Sequence, residues 1–213
     1  MIFDIQRHLG GVDRSVADLE KDGNPARSVI LSRSYDTDID DLWGALTRPE
    51  RIPRWFLPVE GELRLGGRFK FTGNASGEIT QCEPPEHLST TWEMQGDVSW
   101  VVVGLAAEGE SRARLTLTHT ATVSPFWDQF GPGAVGVGWE LGLLGMALYL
   151  LDPEVPKIDE EAFAKSSGGK AFINQSAKGW GDVDVARGED PAVARAAAER
   201  TANFYTGAPP QPD

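Results

Sequence analysis

From Phe56 onward the chain alternates between apolar and polar positions. The runs "LPVEGELRL", "GGRFKFTG", "SGEITQCEPP", "EHLSTTWEM", "VSWVVVGLAAEG" and "SRARLTLTHTAT" have the two-residue period of half-buried strands. Gly-Gly, Gly-Asn, Pro-Pro, Gly-Asp and Glu-Gly-Glu turn signals separate them, which predicts six strands joined as an antiparallel meander. Within those strands Phe69 and Phe71 share a face, as do Leu88, Thr90 and Trp92, and as do Leu115, Leu117 and His119. These are the positions expected to point inward.

Ahead of the meander the period is different. "RSVILSRSY" (27–35) is rich in β-branched residues and predicts a strand. "DTDIDDLWGAL" then opens with Asp/Thr capping chemistry before Ile39, Leu42, Trp43 and Leu46 at helical spacing. Pro49 starts a further short helical turn and Pro53 weakens it, placing Arg48, Arg51 and Arg54 at spacing three. Residues 1–25 carry a weak helical pattern (Ile5, Leu9, Val12, Val16, Leu19) ending in the turn signal "KDGNP", and predict an N-terminal arm.

After the meander, a Gly-rich loop "FGPGAVG" leads to Ala134–Leu151, an apolar stretch interrupted by one charge, Glu140. Its length is near the lower limit for a membrane span. It lacks Lys/Arg flanks and has Asp128 and Asp152 near its ends, so a buried core helix is the expectation. Trp139, Leu143, Met146 and Leu150 form one stripe of this helix; Gly138, Gly142, Gly145 and Tyr149 form another. Glycine is costly inside a helix, so either a neighbouring segment approaches closely or the missing side chains leave volume for a bound molecule. Glu140 could pair with an arginine or face solvent.

Beyond Pro153 the residues read as helical pieces. Phe172, Ile173, Ala177, Trp180 and Val183 lie on or near one face, and "EDPAVARAAAERTANFYTG" offers Asp190 as cap, Pro191 at the first helical position and Gly207 as stop. The expected organisation is an arm over 1–25, a core domain over 26–152, a helical extension over 153–207 and a disordered tail over 208–213.

Composition narrows the function classes. A formal charge of −12 and a pI near 4.7 oppose binding to nucleic acid or an anionic membrane, leaving small molecules or proteins as partners. Cys82 stands alone, and no basic and apolar leader follows Met1, so a cytoplasmic location is expected. His8, His87 and His119 lie far apart without other ligands at metal spacing, and no metal or cofactor is expected. "GPGAVG" matches a dinucleotide fingerprint only literally, because no parallel strand–helix–strand unit surrounds it. Ser167 to Lys170 matches S-x-x-K by composition alone.

The order strand, two short helices, meander, long helix is α+β. It resembles the helix-grip fold of the START-like (SRPBCC) superfamily. The segments "VILSRSYDTDIDDLWGALTRPERIPRWFLP", "GGRFKFTGNASGEITQCEPPEHLSTTWE" and "ARLTLTHTA" resemble the branch named for the C-terminal domain of the activator of heat-shock protein 90 ATPase, over about residues 28–151. The resemblance implies a curved antiparallel sheet wrapped around the long helix, enclosing an apolar cavity with Trp55 and Phe56 at its edge. Phe69, Phe71, Trp92, His119, Trp139, Leu143 and Met146 complete the candidate lining. Superfamily members include lipid and hormone binders, polyketide cyclases, oxygenase domains and stress-related chaperone regulators, so fold alone does not decide function.

Three readings follow. The first is non-catalytic binding of a small hydrophobic or aromatic molecule, by a monomer or homodimer. The second is a protein-interaction module resembling the chaperone regulators. The third is a cavity enzyme of cyclase or hydrolase type using His119 or Glu140 as general acid or base, without paired carboxylates or a triad in support.

Overall fold

The computed structural model describes residues 5–208. The expected disordered tail lies outside the described residues from 209 onward. Among the described residues there are seven α-helices and eight strands, an α+β architecture in which the strands form one curved antiparallel sheet. In chain order they are α1 (Ile5–Gly10), β1 (Val12–Lys21), β2 (Asn24–Tyr35), α2 (Ile39–Thr47), β3 (Val59–Gly61), β4 (Arg68–Phe71), β5 (Ser76–Glu83), β6 (His87–Met94), β7 (Asp97–Gly109), β8 (Arg112–Thr122), α3 (Pro125–Phe130), α4 (Gly133–Leu151), α5 (Glu160–Lys165), α6 (Ser167–Arg187) and α7 (Pro191–Thr206). A single 3-10 turn, Ile52–Arg54, follows α2. The strand order is β1-β2-β8-β7-β6-β5-β4-β3.

All six strands of the meander form as the two-residue period predicts. Two hairpins show why the turns fall where they do. Asp22 and Gly23, between β1 and β2, have φ of 52° and 80°, and Gln95 and Gly96, between β6 and β7, have 55° and 94°. Both are two-residue loops with two positive φ values, the geometry that matches the strands' own twist.

The N-terminal segment departs from expectation. Val12–Lys21 is a strand and only Ile5–Gly10 is helical. Val12, Arg14 and Val16 alternate inward along β1, but the charged Arg14 in the middle hides the two-residue period. Ahead of the expected Gly-rich loop a short helix forms, α3, beginning at Pro125 after Ser124, and α4 already starts within that loop at Gly133.

The chain forms two compact units. Among the described residues, one takes in the chain up to Val29, Thr122–Leu141 and everything from Ile158 on; the other is Ile30–Ala121 with Gly142–Lys157. Both β2 and α4 pass from one unit into the other.

In the first unit, α6 and α7 pack on the first half of α4 through its glycines. A side chain at Gly136 would place its Cβ 2.1 Å from Cε2 of Trp180; at Gly133, 2.8 Å from Oγ1 of Thr201; at Gly138, 2.6 Å from the Tyr205 hydroxyl. Close approach is therefore the reason for these glycines. The helical extension beyond Pro153 lies on the long helix, with Phe172, Ile173, Ala177 and Trp180 fully buried. The Asp190 cap, which accepts from the amides of Ala192 and Val193, and the Gly207 stop form as expected.

Glu140 is buried. Its Oε1 accepts from Arg14 Nε at 2.6 Å and from Trp180 Nε1 at 2.7 Å, and its Oε2 accepts from Arg14 Nη2 at 2.8 Å. A solvent-facing Glu140 is excluded, and the arginine partner lies on β1. Nearby, Arg187 bridges Asp18 at 3.1 Å and Asp184 at 2.9 Å, and burial raises the Asp184 carboxyl above its ordinary value.

In the second unit, the latter half of α4 faces the short turn that follows α2. A Cβ at Gly145 would fall 2.6 Å from the carbonyl oxygen of Trp55, so the helix rides directly on that peptide. Tyr35, at the end of β2, donates its buried hydroxyl to the Leu143 carbonyl at 3.4 Å, and burial pushes that hydroxyl well above its usual value.

Candidate functional site

Trp55 starts the site. The 3-10 turn brings the indole back under α2, where Nε1 donates to the Ala45 carbonyl at 2.9 Å. That carbonyl is one of the last four of α2, which have no partner within their own helix. The indole therefore completes the core and satisfies a helix end at once, and only 8% of Trp55 is exposed.

From Trp55 an uninterrupted row of rings crosses the sheet. Trp55 and Phe56 have centroids 5.4 Å apart, Phe56 and Phe71 5.0 Å, Phe71 and Trp92 5.6 Å, and Trp92 and His119 6.2 Å. Phe69 joins from the side, 5.4 Å from Phe71 and 6.3 Å from Trp92. Sheet register explains the assembly. Phe69 and Phe71 are two apart on β4, Trp92 opposes Ser99, and Val101, two residues on, opposes His119. All these side chains thus share one face. Gly77 opposes Phe69, and a Cβ there would stand 2.9 Å from the Phe69 ring, so the glycine admits the ring.

The row is graded in burial. Trp55 and Phe69 are buried, whereas Phe56, Phe71, Trp92 and His119 are half-buried. On α4, Leu143 and Met146 are fully buried in this unit, and Gly142 would set a Cβ 3.5 Å from the Phe56 ring. Of the nine lining residues expected, the structure joins six as neighbouring rings: Trp55, Phe56, Phe69, Phe71, Trp92 and His119. Trp139 and Glu140 belong to the other unit.

His119 is the titratable member of the row. Its Nε2 lies 2.8 Å from Ser99 Oγ, and Ser99 Oγ donates its single proton to the Trp92 carbonyl at 3.0 Å. The serine must then accept, which assigns the hydrogen to Nε2 of His119. Burial pushes the imidazole down to about 4, so the ring is neutral at physiological pH. This polarity is the reverse of a serine activated by a histidine base. Ser99 went unnoticed in the sequence, although the period of "DVSWVVV" places it on the same face as Val101 and Val103.

Of the three arginines at spacing three, Arg51 and Arg54 have partners away from the rings. Arg51 pairs with Asp41 at 2.9 Å and donates to the Tyr149 hydroxyl at 2.9 Å, while Arg54 donates to the Pro153 carbonyl. Among the described residues no group of three or more His, Cys, Asp or Glu is placed to hold a metal ion.

Comparison with known proteins decides the family. Residues 36–150, just over half of the chain, match the family described as activator of Hsp90 ATPase homolog 1-like protein. The chain belongs to that family. CalU16 from Micromonospora echinospora is 31% identical; its crystal structure aligns with a TM-score of 0.66 over 81% of this chain and 97% of CalU16. The solution structure of CalU16 gives 0.68 over 84% and 97%. That coverage is wider than 36–150, so the likeness extends into the flanking elements. EF2215, a conserved protein of unknown function from Enterococcus faecalis, shares the fold at 15% identity, with a TM-score of 0.60 over 84% of this chain and 95% of its own. No curated protein is matched. The helix-grip, START-like architecture expected from the sequence is thereby established for this activator-of-Hsp90-ATPase-homolog-like chain.

Proposed function

We propose that this protein binds a small hydrophobic or aromatic molecule against the ring row and releases it chemically unchanged. The observation that carries this reading is the unbroken contact from Trp55 through Phe56, Phe71 and Trp92 to His119, with its middle members half-exposed. Aromatic side chains left half-open beside a satisfied core offer apolar area to a guest. The hydrogen bonding of His119 supports binding over turnover, since its Nε2 proton is committed to Ser99. Glu140 is likewise committed to Arg14 and Trp180. Binding to nucleic acid or membrane forms no part of this reading. The long helix α4 is apolar enough to span a bilayer, but its burial and its ion pair suit a core helix. A cytoplasmic location fits the unpaired Cys82.

Native mass spectrometry of gently purified protein, followed by denaturing extraction, tests the proposal. A stoichiometric small-molecule mass lost on denaturation is expected; a clean apo mass across several preparations would count against it.

One observation favours the protein-interaction reading. Phe126 and Phe204 are 48% and 60% exposed on either side of Phe130, with centroids 4.9 and 5.6 Å from it. Exposed aromatic clusters of this kind mark contact surfaces. Loss of a co-purifying protein on Phe204→Ser, with the fold retained, would support it.

A further inference from the structure

The polar atoms around the rings decide which guests the row can accept. Each one whose bonding is described is already spent. Trp55 Nε1 donates to Ala45, Ser99 Oγ donates to Trp92 and receives from His119, and His119 is an uncharged imidazole. The charged side chains of the neighbouring turn and strands whose partners are described face away from the rings. Arg51 faces Asp41 and Tyr149, and Arg54 faces Pro153. Arg68 and Glu93 pair with each other at 2.6 Å, and each is one residue out of phase with the ring-bearing positions Phe69 and Trp92, hence on the opposite sheet face.

The ring geometry points the same way. Successive rings meet at 32°, 84°, 40° and 64°, so tilted contacts alternate with edge-on ones. An aromatic face is negative and its edge positive. Alternation complements the quadrupole of another aromatic molecule and gives an ion no consistent partner. An anion arriving here would lose its water while Arg51, Arg54 and Arg68 stay engaged with other partners, in a chain whose formal charge is already −12.

We infer that the row between Trp55 and His119 selects uncharged aromatic molecules and rejects their carboxylates. This rests on the binding reading above. It also narrows that reading, because free fatty acids, phospholipids and phosphorylated or carboxylated ring compounds fall outside the accepted class.

The test uses the full chain at pH 7.5 and two probes of similar size and shape, 2-naphthol and 2-naphthoate, titrated by isothermal calorimetry. At least tenfold tighter binding of 2-naphthol is expected. Phe56→Leu and Phe71→Leu, which keep apolar bulk but remove rings, should each weaken 2-naphthol about threefold or more while circular dichroism stays native. Equal or tighter binding of 2-naphthoate overturns charge selection and leaves the binding reading intact. Selective 2-naphthol binding that neither leucine variant weakens overturns the assignment to this row. Failure of both probes to bind at millimolar concentration overturns the selectivity and the binding reading together.

Discussion

Glu140 Oε1 sits 2.6 Å from Arg14 Nε, tying the only charge of the long helix to the N-terminal strand. Glu140 is fully buried at its side chain and Arg14 is 14% exposed, so each is the other's chief compensation for leaving water. Glu140→Gln keeps an acceptor for Trp180 while removing the negative charge. Breaking one side of such a pair costs about 3 kcal/mol, and urea unfolding should show a loss of that size. Adding Arg14→Met should cost less than the two single changes summed. A loss well under 1 kcal/mol for Glu140→Gln would mean that the pair contributes little.

The glycines of α4 should separate under substitution. At Gly136 a methyl group would collide with the Trp180 ring, and at Gly145 with the Trp55 backbone; each change to Ala should cost at least about 2 kcal/mol through overpacking. At Gly142 the nearest atoms are 3.5 Å away, an ordinary contact. There the helix propensity of alanine should prevail, and Gly142→Ala should be stabilising by up to about 1 kcal/mol. Thermal melts of the three variants read the order directly.

How legible these features were in the sequence follows from where partners lie. The meander could be read strand by strand because its alternation is local and needs no knowledge of the other side. β1 could not, because Arg14 occupies an inward position where its charge is matched by Glu140, 126 residues away. The same pair explains why Glu140 could be read as solvent-facing. Gly136 and Trp180 each left a trace, a helix glycine and an apolar-face tryptophan, but nothing in either neighbourhood named the other. The strand-borne rings Phe69, Phe71, Trp92 and His119 follow strand parity, whereas Ser99 shares that parity but gains a role only once β7 is paired with β8, which brings His119 beside it.

Stability should depend on pH through His119. Its imidazole titrates near 4 when folded, against an ordinary 6.5, so the unfolded chain binds the extra proton between those values. The contribution is complete above about pH 6.5, is lost as pH falls toward 4, and levels off below that, for a total on the order of 3 kcal/mol. In His119→Gln this part of the pH dependence should disappear from urea midpoints measured between pH 7 and 4. An unchanged profile would show that the ring is not held neutral.

Trp55→Phe tests the helix-end role of the indole. Phenylalanine keeps most of the apolar area but leaves the Ala45 carbonyl without its donor. A loss of about 1–2 kcal/mol is expected, as for an unsatisfied buried acceptor, with 2-naphthol affinity little changed. A larger fall in affinity than in stability would instead place the indole in direct contact with the guest.

The packing of α6 and α7 on the long helix has a consequence for biosynthesis. α4 is finished at Leu151, yet the residues that cover its glycines, Trp180, Thr201 and Tyr205, are translated later. At ordinary elongation rates the roughly 55 residues from Leu151 to Thr206 take about 3–10 s to make. For that interval the first half of this helix lacks the side chains that come to cover Gly133, Gly136 and Gly138, and Glu140 lacks its bond from Trp180. A ribosome stalled before α6 is therefore expected to release a product with that half of the helix uncovered and more prone to aggregate than the full chain.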